Sequence, residues 1–157
     1  MAWTNSKIFS AYIHDVLTNL TAMDLDTDAA IKVALFDNTI TPSQTVAAAS
    51  SAYGTGVWAS GGVLDASGWP AVGRDLQSIT VTAATSATFT FDAADTVSAN
   101  ATTTLTNAYG CLVYDDTITT PVADQGISFN YFGGANSVTS GTFTVVWNAS
   151  GILALTL

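Results

Sequence analysis

The sequence predicts a mainly β protein, an antiparallel β-sandwich or partly closed barrel opened by one amphipathic α-helix. Short apolar runs with period-two alternation recur from Val57 to the end of the chain. Turn signals at AADT, YDDT, FGGANS and NASG punctuate them at short intervals, as in sandwiches and small barrels. Strands do not alternate with long helical patterns, so a parallel βαβ arrangement is not expected.

Residues from about 4 to 20 carry the one convincing helical period. Ile8, Phe9, Tyr12, Ile13, Val16, Leu17 and Leu20 recur at three- and four-residue spacing, and Thr4, Asn5 or Ser6 can serve as N-cap. The β body then runs from about 31 to 157. IKVALF (31–36) reads as its first strand, with Ile31, Val33 and Leu35 alternating with Lys32, Ala34 and Phe36. Residues 37 to 56 keep no period and read as a long surface excursion, of the kind that contacts a partner. Further strands are expected at 57–64, 76–82, 87–92, 103–108, 109–115, 127–132, 141–147 and 152–157. Phe89 shares a face with Phe91, as do Phe143, Val145 and Trp147, with Thr opposite, which describes a sheet wet on one side. At 157 residues, with no Pro-rich linker and no internal repeat, residues 1–157 form a single domain.

Composition limits function. All twelve acidic residues are Asp, the cations are Lys7, Lys32 and Arg74, and the formal net charge is -9. Three scattered cations cannot release the counterions that phosphate binding requires, so neither nucleic acid nor an anionic membrane is an expected partner. The opening MAWTNSKIFSAYIHDVL lacks a basic region followed by an unbroken apolar one, and no later segment is apolar enough to span a membrane, so neither secretion nor insertion is expected. Cys111, the one cysteine, lies in an apolar strand and reads as a small buried hydrophobe. Asn19, Asn100 and Asn148 open Asn-x-Ser/Thr tripeptides, read here as chance in a Ser/Thr-rich chain.

Chemistry is hard to assemble from these residues. Asp115 and Asp116 close a strand, where successive side chains point to opposite faces, so they read as turn formers and not as a catalytic pair. Asp24, Asp26 and Asp28 have the spacing of the first EF-hand ligands, yet Ala29 and Leu35 stand where Gly and a bidentate Glu are needed. His14 is the sole histidine; it neighbours Asp15 on the helix, where adjacent side chains splay and are not expected to bond. Elbow, P-loop and dinucleotide motifs are missing, and a hydrolytic site would need distant acids such as Asp37, Asp65 and Asp92 to converge. No cofactor, metal or catalytic residue is therefore assigned. The Gly-rich segment 51–75 holds Tyr53, Trp58 and Trp69, which suit an interface, a sugar-stacking platform or the core between sheets.

The order NSKIF, IKVALFDN, GTGVWASGGVLDASG, YGCLVYDDT and YFGGANSVTSGTFTVVWNASGILAL, from about Asn5 to Leu155, resembles small virion structural proteins of tailed bacteriophages and prophages. Asp115 and Asp116 match that family's turn, Gly61 and Gly62 its strand, and Phe143, Trp147 and Gly151 its closing hairpin. The family is less uniform across Thr39 to Ala52. The resemblance implies a non-enzymatic capsid decoration protein, made in the host bacterial cytoplasm and bound to the outer surface of the head. Its partner would be the major capsid protein, with copies forming a homo-oligomer on the lattice. Tyr53, Trp58 and Trp69, with Ile8 and Tyr12 of the helix, are the expected interface residues. The alternative is a tail or fibre component that holds host glycans through exposed aromatics.

Overall fold

The computed structural model describes residues 3–20, 25–82 and 88–156. The chain is mainly β, with antiparallel sheets and a helix near the N-terminus, and among the described residues no closed barrel is found. Its strands are β1 (Lys7–Ile8), β2 (Ile31–Phe36), β3 (Gly62–Val63), β4 (Arg74–Asp75), β5 (Thr80–Thr82), β6 (Thr88–Asp92), β7 (Thr96–Val97), β8 (Thr103–Asp115), β9 (Gly126–Gly141), β10 (Thr144–Val145) and β11 (Leu153–Thr156). The helices are α1 (Ser10–Leu17) and α2 (Ala48–Ser51), with a 3-10 turn at Gly56–Ala59. The main sheet runs β1-β9-β8-β2, with β3 and β4 both on the far edge of β2; β10 pairs with β7, and β11-β6-β5 form a third sheet. All three sheets contribute to one core.

The helix begins later than its periodicity predicts. Lys7 and Ile8 are extended and pair with Phe129 and Ser128 of β9, and the N-cap is Phe9, without a side-chain cap. Thr4, Asn5 and Ser6 do not cap the helix; Ser6 Oγ accepts the Tyr131 N–H at 2.9 Å instead. Ile8 and Phe9 mimic a helical pattern because two neighbouring apolar residues satisfy both an edge strand and a helix start.

The strand at 57–64 is also corrected. Val57 and Trp58 lie in the 3-10 turn, and only Gly62–Val63 pairs, with Phe36 and Leu35. Gly61 has φ +74 and its α-carbon faces Asp37, Thr39 and Ile40 so closely that a Cβ would lie 2.9 Å from each, a reversal that other residues would strain to make. Conversely, the strands expected at 103–108 and 109–115 are one strand, and FGGANS is no turn but the middle of β9. The Asn and Gly residues that signal turns are absorbed as bulges: the β8–β9 register shifts around Leu105, Ala108 and Gly110, and Asn107 sits at φ +60 with its N–H on Ser137 Oγ (3.0 Å). The run expected at 141–147 shrinks to β10, and those expected at 76–82 and 152–157 to β5 and β11; of the latter Leu157, like Ala87 of the 87–92 strand, lies outside the described residues.

β2 is buried on both faces: Ile31, Val33 and Leu35 on one and Ala34 and Phe36 on the other are all covered. The alternation in the C-terminal segment holds as read, with Phe143 and Val145 inside and Val146 72% exposed. Cys111 is buried, and burial pushes its thiol up to about 12, so it packs as a hydrophobe.

Candidate functional site

The aromatics expected at an interface are mostly inside. Trp58 is 2% exposed at the centre of a ring cluster, with ring centroids 5.0 Å from Phe36, 6.0 Å from Trp3, and 6.1 Å from both Phe9 and Phe129. Trp69 is fully buried, donates its indole N–H to the Val33 carbonyl (3.0 Å) and meets Phe143 edge-on at 5.7 Å. Tyr12 is buried too. Tyr53 is half-buried and stacks on Tyr114, centroids 4.9 Å apart and planes 9° apart. Of the five, only Tyr53 and Ile8 retain partial exposure, because long aromatics are what a Gly-, Ala- and Thr-rich chain has to fill its core.

The carboxylates are structural. Asp37 Oδ1 accepts from the Thr39 N–H (2.8 Å) and hydroxyl; Asp65 Oδ1 accepts from the Ser67 N–H (3.0 Å) and hydroxyl (2.8 Å); Asp115 Oδ1 accepts from the Thr117 N–H (2.8 Å) and hydroxyl (2.7 Å). Each is an Asp-x-Ser/Thr turn, in which a side chain one methylene shorter than Glu reaches the amide two residues on. The Asn-x-Ser/Thr tripeptides at 100 and 148 are the same device: Asn100 Oδ1 accepts from the Thr102 N–H (3.1 Å) and Asn148 Oδ1 from the Ser150 N–H (2.8 Å). Sequence reasoning missed this recurring motif, although its spacing was visible. Asp92 accepts the Ala93 N–H and Asp65 also accepts the Thr104 N–H of β8 at 2.7 Å, so Asp37, Asp65 and Asp92 each serve backbone amides. Asp28 ties down the Ser78 and Ile79 N–H groups, both at 2.9 Å; Asp24 lies outside the described residues. Among the described residues no three His, Cys or Asp side chains cluster as a metal set.

One expectation about acid-base geometry is overturned. His14 Nδ1 lies 2.9 Å from Asp15 Oδ1 although the two are helical neighbours. The nitrogen nearer the main chain can reach because Asp15 is buried, its other oxygen held by the Gln125 amide at 2.8 Å. The nearby Thr18 hydroxyl donates to the His14 carbonyl, so it is turned toward the backbone and not toward the ring.

The end of the main sheet gathers charge. Asp115 is buried and Asp116 is exposed, the opposite-face arrangement read from sequence. Lys32 Nζ contacts Asp75 Oδ1 at 2.5 Å and Asp116 Oδ2 at 3.4 Å; burial alone would depress the ammonium, but Asp75 and then Asp116 carry it above its ordinary value. Asp124, partly covered and facing Asp116 and Asp115, is held above the usual carboxylate range, by desolvation first and those charges second. Asp65 is the opposite case, held down at about 2 by the Thr104 N–H and then by Ser67 and Gly68. A folded carboxyl raised above its unfolded value costs stability while ionised, fully above the folded pKa and not at all below the unfolded one. Asp124→Asn should therefore raise the melting temperature at pH 7, and the gain should vanish near ~pH 3, where unfolded carboxyls are largely protonated. Asn also tolerates the φ of +55 there. Differential scanning fluorimetry at the two pH values checks this.

The surface holds a feature that no single segment announces. Three depressions of about 420, 340 and 320 Å³ adjoin one another: the first two share Ser6, Asn130 and Ile152, and the last two share Tyr131, Phe132, Val145 and Val146. Together they form a seam between the β1–β9 side of the main sheet and the segments around β10 and β11. Ile8 lines one end, and Lys7 is the one charged side chain among the lining residues. A second apolar spot lies at the C-terminal end of α1, where Leu17 is 80% exposed and Leu20 51%. Compared with family models, curated proteins and solved structures, the chain matches none.

Proposed function

We propose that the chain is a non-enzymatic virion structural protein, a decoration protein on the outside of a tailed-phage head that grips the major capsid protein by surface contact. The observation that carries this reading is the ordered set of motifs it shares with such proteins. YGCLVYDDT and YFGGANSVTSG make up most of the β8–β9 ribbon, and GTFTVVWNASGILAL makes β10, β11 and the turn between them, so the resemblance falls on the parts that fix the frame. The weakly charged seam, with Lys7 its one charged lining residue, and the exposed Leu17 offer mild contact area, and many weak contacts repeated over a shell add up through effective concentration. Copies would be made in the bacterial cytoplasm and end on the outer capsid surface. No helix among the described residues is long and apolar enough to cross a membrane.

The glycan-binding alternative loses two of the three aromatics that suggested it, since Trp58 and Trp69 are enclosed and Tyr53 alone keeps partial exposure. Purified native particles test the proposal. The protein should be present in a copy number that scales with capsid subunits, and particles stripped of it should lose resistance to heating and dilution. Absence from the particle, or a copy number that scales with the tail, overturns it.

A further inference from the structure

From Gln125 to Leu157 the sequence holds no charged side chain, so every Asp and all three cations lie in the first part of the chain. That neutral part builds β9, β10 and β11. It therefore supplies one strand of the main sheet and most of the seam beside it. β9 is long, and β1 covers its outer edge only at Ser128 and Phe129. Beyond these, from Phe132 to Gly141, no described strand pairs with that edge.

Edges of this kind are normally blunted by Lys, Pro, an inward charge or bulges; residues 132–141 contain none of the first three, and their register against β8 shifts around Asn136 and Val138. Gly133, Ala135, Asn136, Ser137, Thr139 and Ser140 are exposed and small, so a second backbone can come close without steric hindrance. Val146, 72% exposed, adds apolar area on the far wall of the seam.

We infer that this edge is a self-association surface, on which β9 of a second copy pairs antiparallel with β9 of the first about a twofold axis. Charge selects the occupant. A basic partner would be drawn to the Asp-rich faces of a molecule with net charge -9, not to its neutral one. Two copies meeting through an Asp-bearing face would bring carboxylates together. Along β9 they meet with none, and a twofold pairing leaves both edges covered at once. The inference does not depend on the virion reading.

Sedimentation velocity on the full-length protein, through a dilution series from high micromolar, tests it. The wild type should sediment with twice the 16.1 kDa mass of one chain and dissociate on dilution. Ala135→Glu with Thr139→Glu places like charges across the axis and should weaken pairing roughly a hundredfold or more. Both positions are exposed, so circular dichroism and melting temperature should stay those of the wild type. Leu17→Glu, on the exposed end of α1, should leave pairing intact. A single-chain mass at the highest concentration overturns the inference. So does a pair that survives the double substitution, a pair dissolved by Leu17→Glu, or a mass of three or more chains.

Discussion

Replacing Trp58 by alanine should destabilise the protein by about 3–5 kcal/mol, the range for removing a fully enclosed indole. For a chain of this length that lowers the melting temperature by roughly 10 °C or more. The ring cluster explains the size of the effect. Trp58 touches Trp3, Phe9, Phe36 and Phe129, which come from the N-terminal segment, β2 and β9, so its loss loosens the attachment of three separate pieces of chain. The indole N–H adds a discriminating detail, because it is buried and has no hydrogen-bond partner among the described residues. Trp58→Phe keeps an aromatic ring and removes that unsatisfied donor, so it should cost well under half as much as Trp58→Ala. Trp69→Phe should cost more than Trp58→Phe, since the Trp69 N–H is bonded to the Val33 carbonyl. Urea denaturation of the three variants gives the order, and a reversed order between the two phenylalanine variants would sink this account of the cluster.

Much of the architecture was legible because period two survives locally: Phe143 and Val145 inside with Val146 outside needs only the pleat. Errors came where one residue type serves two purposes. Ile8 and Phe9 fit a helix pattern and also an edge strand, and only the partner strand β9, more than a hundred residues away, decides between them. Gly133 looks like a turn but lies within a strand, because a bulge needs the same backbone freedom as a turn. Trp58 and Trp69 looked like surface aromatics from their Gly-rich neighbours, yet burial is set by what packs on them from elsewhere in the chain. The seam was illegible for the same reason: its lining comes from residues 6–8, Gln44, 128–136 and 143–154, and no window of sequence contains them together. By contrast the Asp-x-Ser/Thr turns were fully local. They account for Asp at positions 37, 65 and 115, where Glu would overshoot the amide.

The second large effect is expected at Asp115, and it answers what the adjacent acids at the end of β8 are for. Asp115→Ala should destabilise by about 2–4 kcal/mol, because one buried carboxylate oxygen receives the Thr117 N–H, the Thr117 hydroxyl and the Ile118 N–H, and bonds to a charged acceptor are the stronger kind. Asp116→Ala, on the exposed face with a 3.4 Å contact to Lys32, should change stability by less than about 1 kcal/mol. Asp115→Asn separates hydrogen bonding from charge. The second Asp115 oxygen is buried without a partner among the described residues, and so is the side-chain oxygen of Gln125, whose main-chain carbonyl accepts the Asp115 N–H at 3.1 Å across the end of the ribbon. An amide at position 115 keeps the first oxygen and turns the second, an unmet acceptor, into a donor. It also removes a negative charge facing Asp124 and Tyr12. Asp115→Asn should therefore lose far less stability than Asp115→Ala. If thermal melts show the two equally damaged, the carboxylate's charge and not its hydrogen bonds holds this corner, and the turn-forming role assigned to it fails.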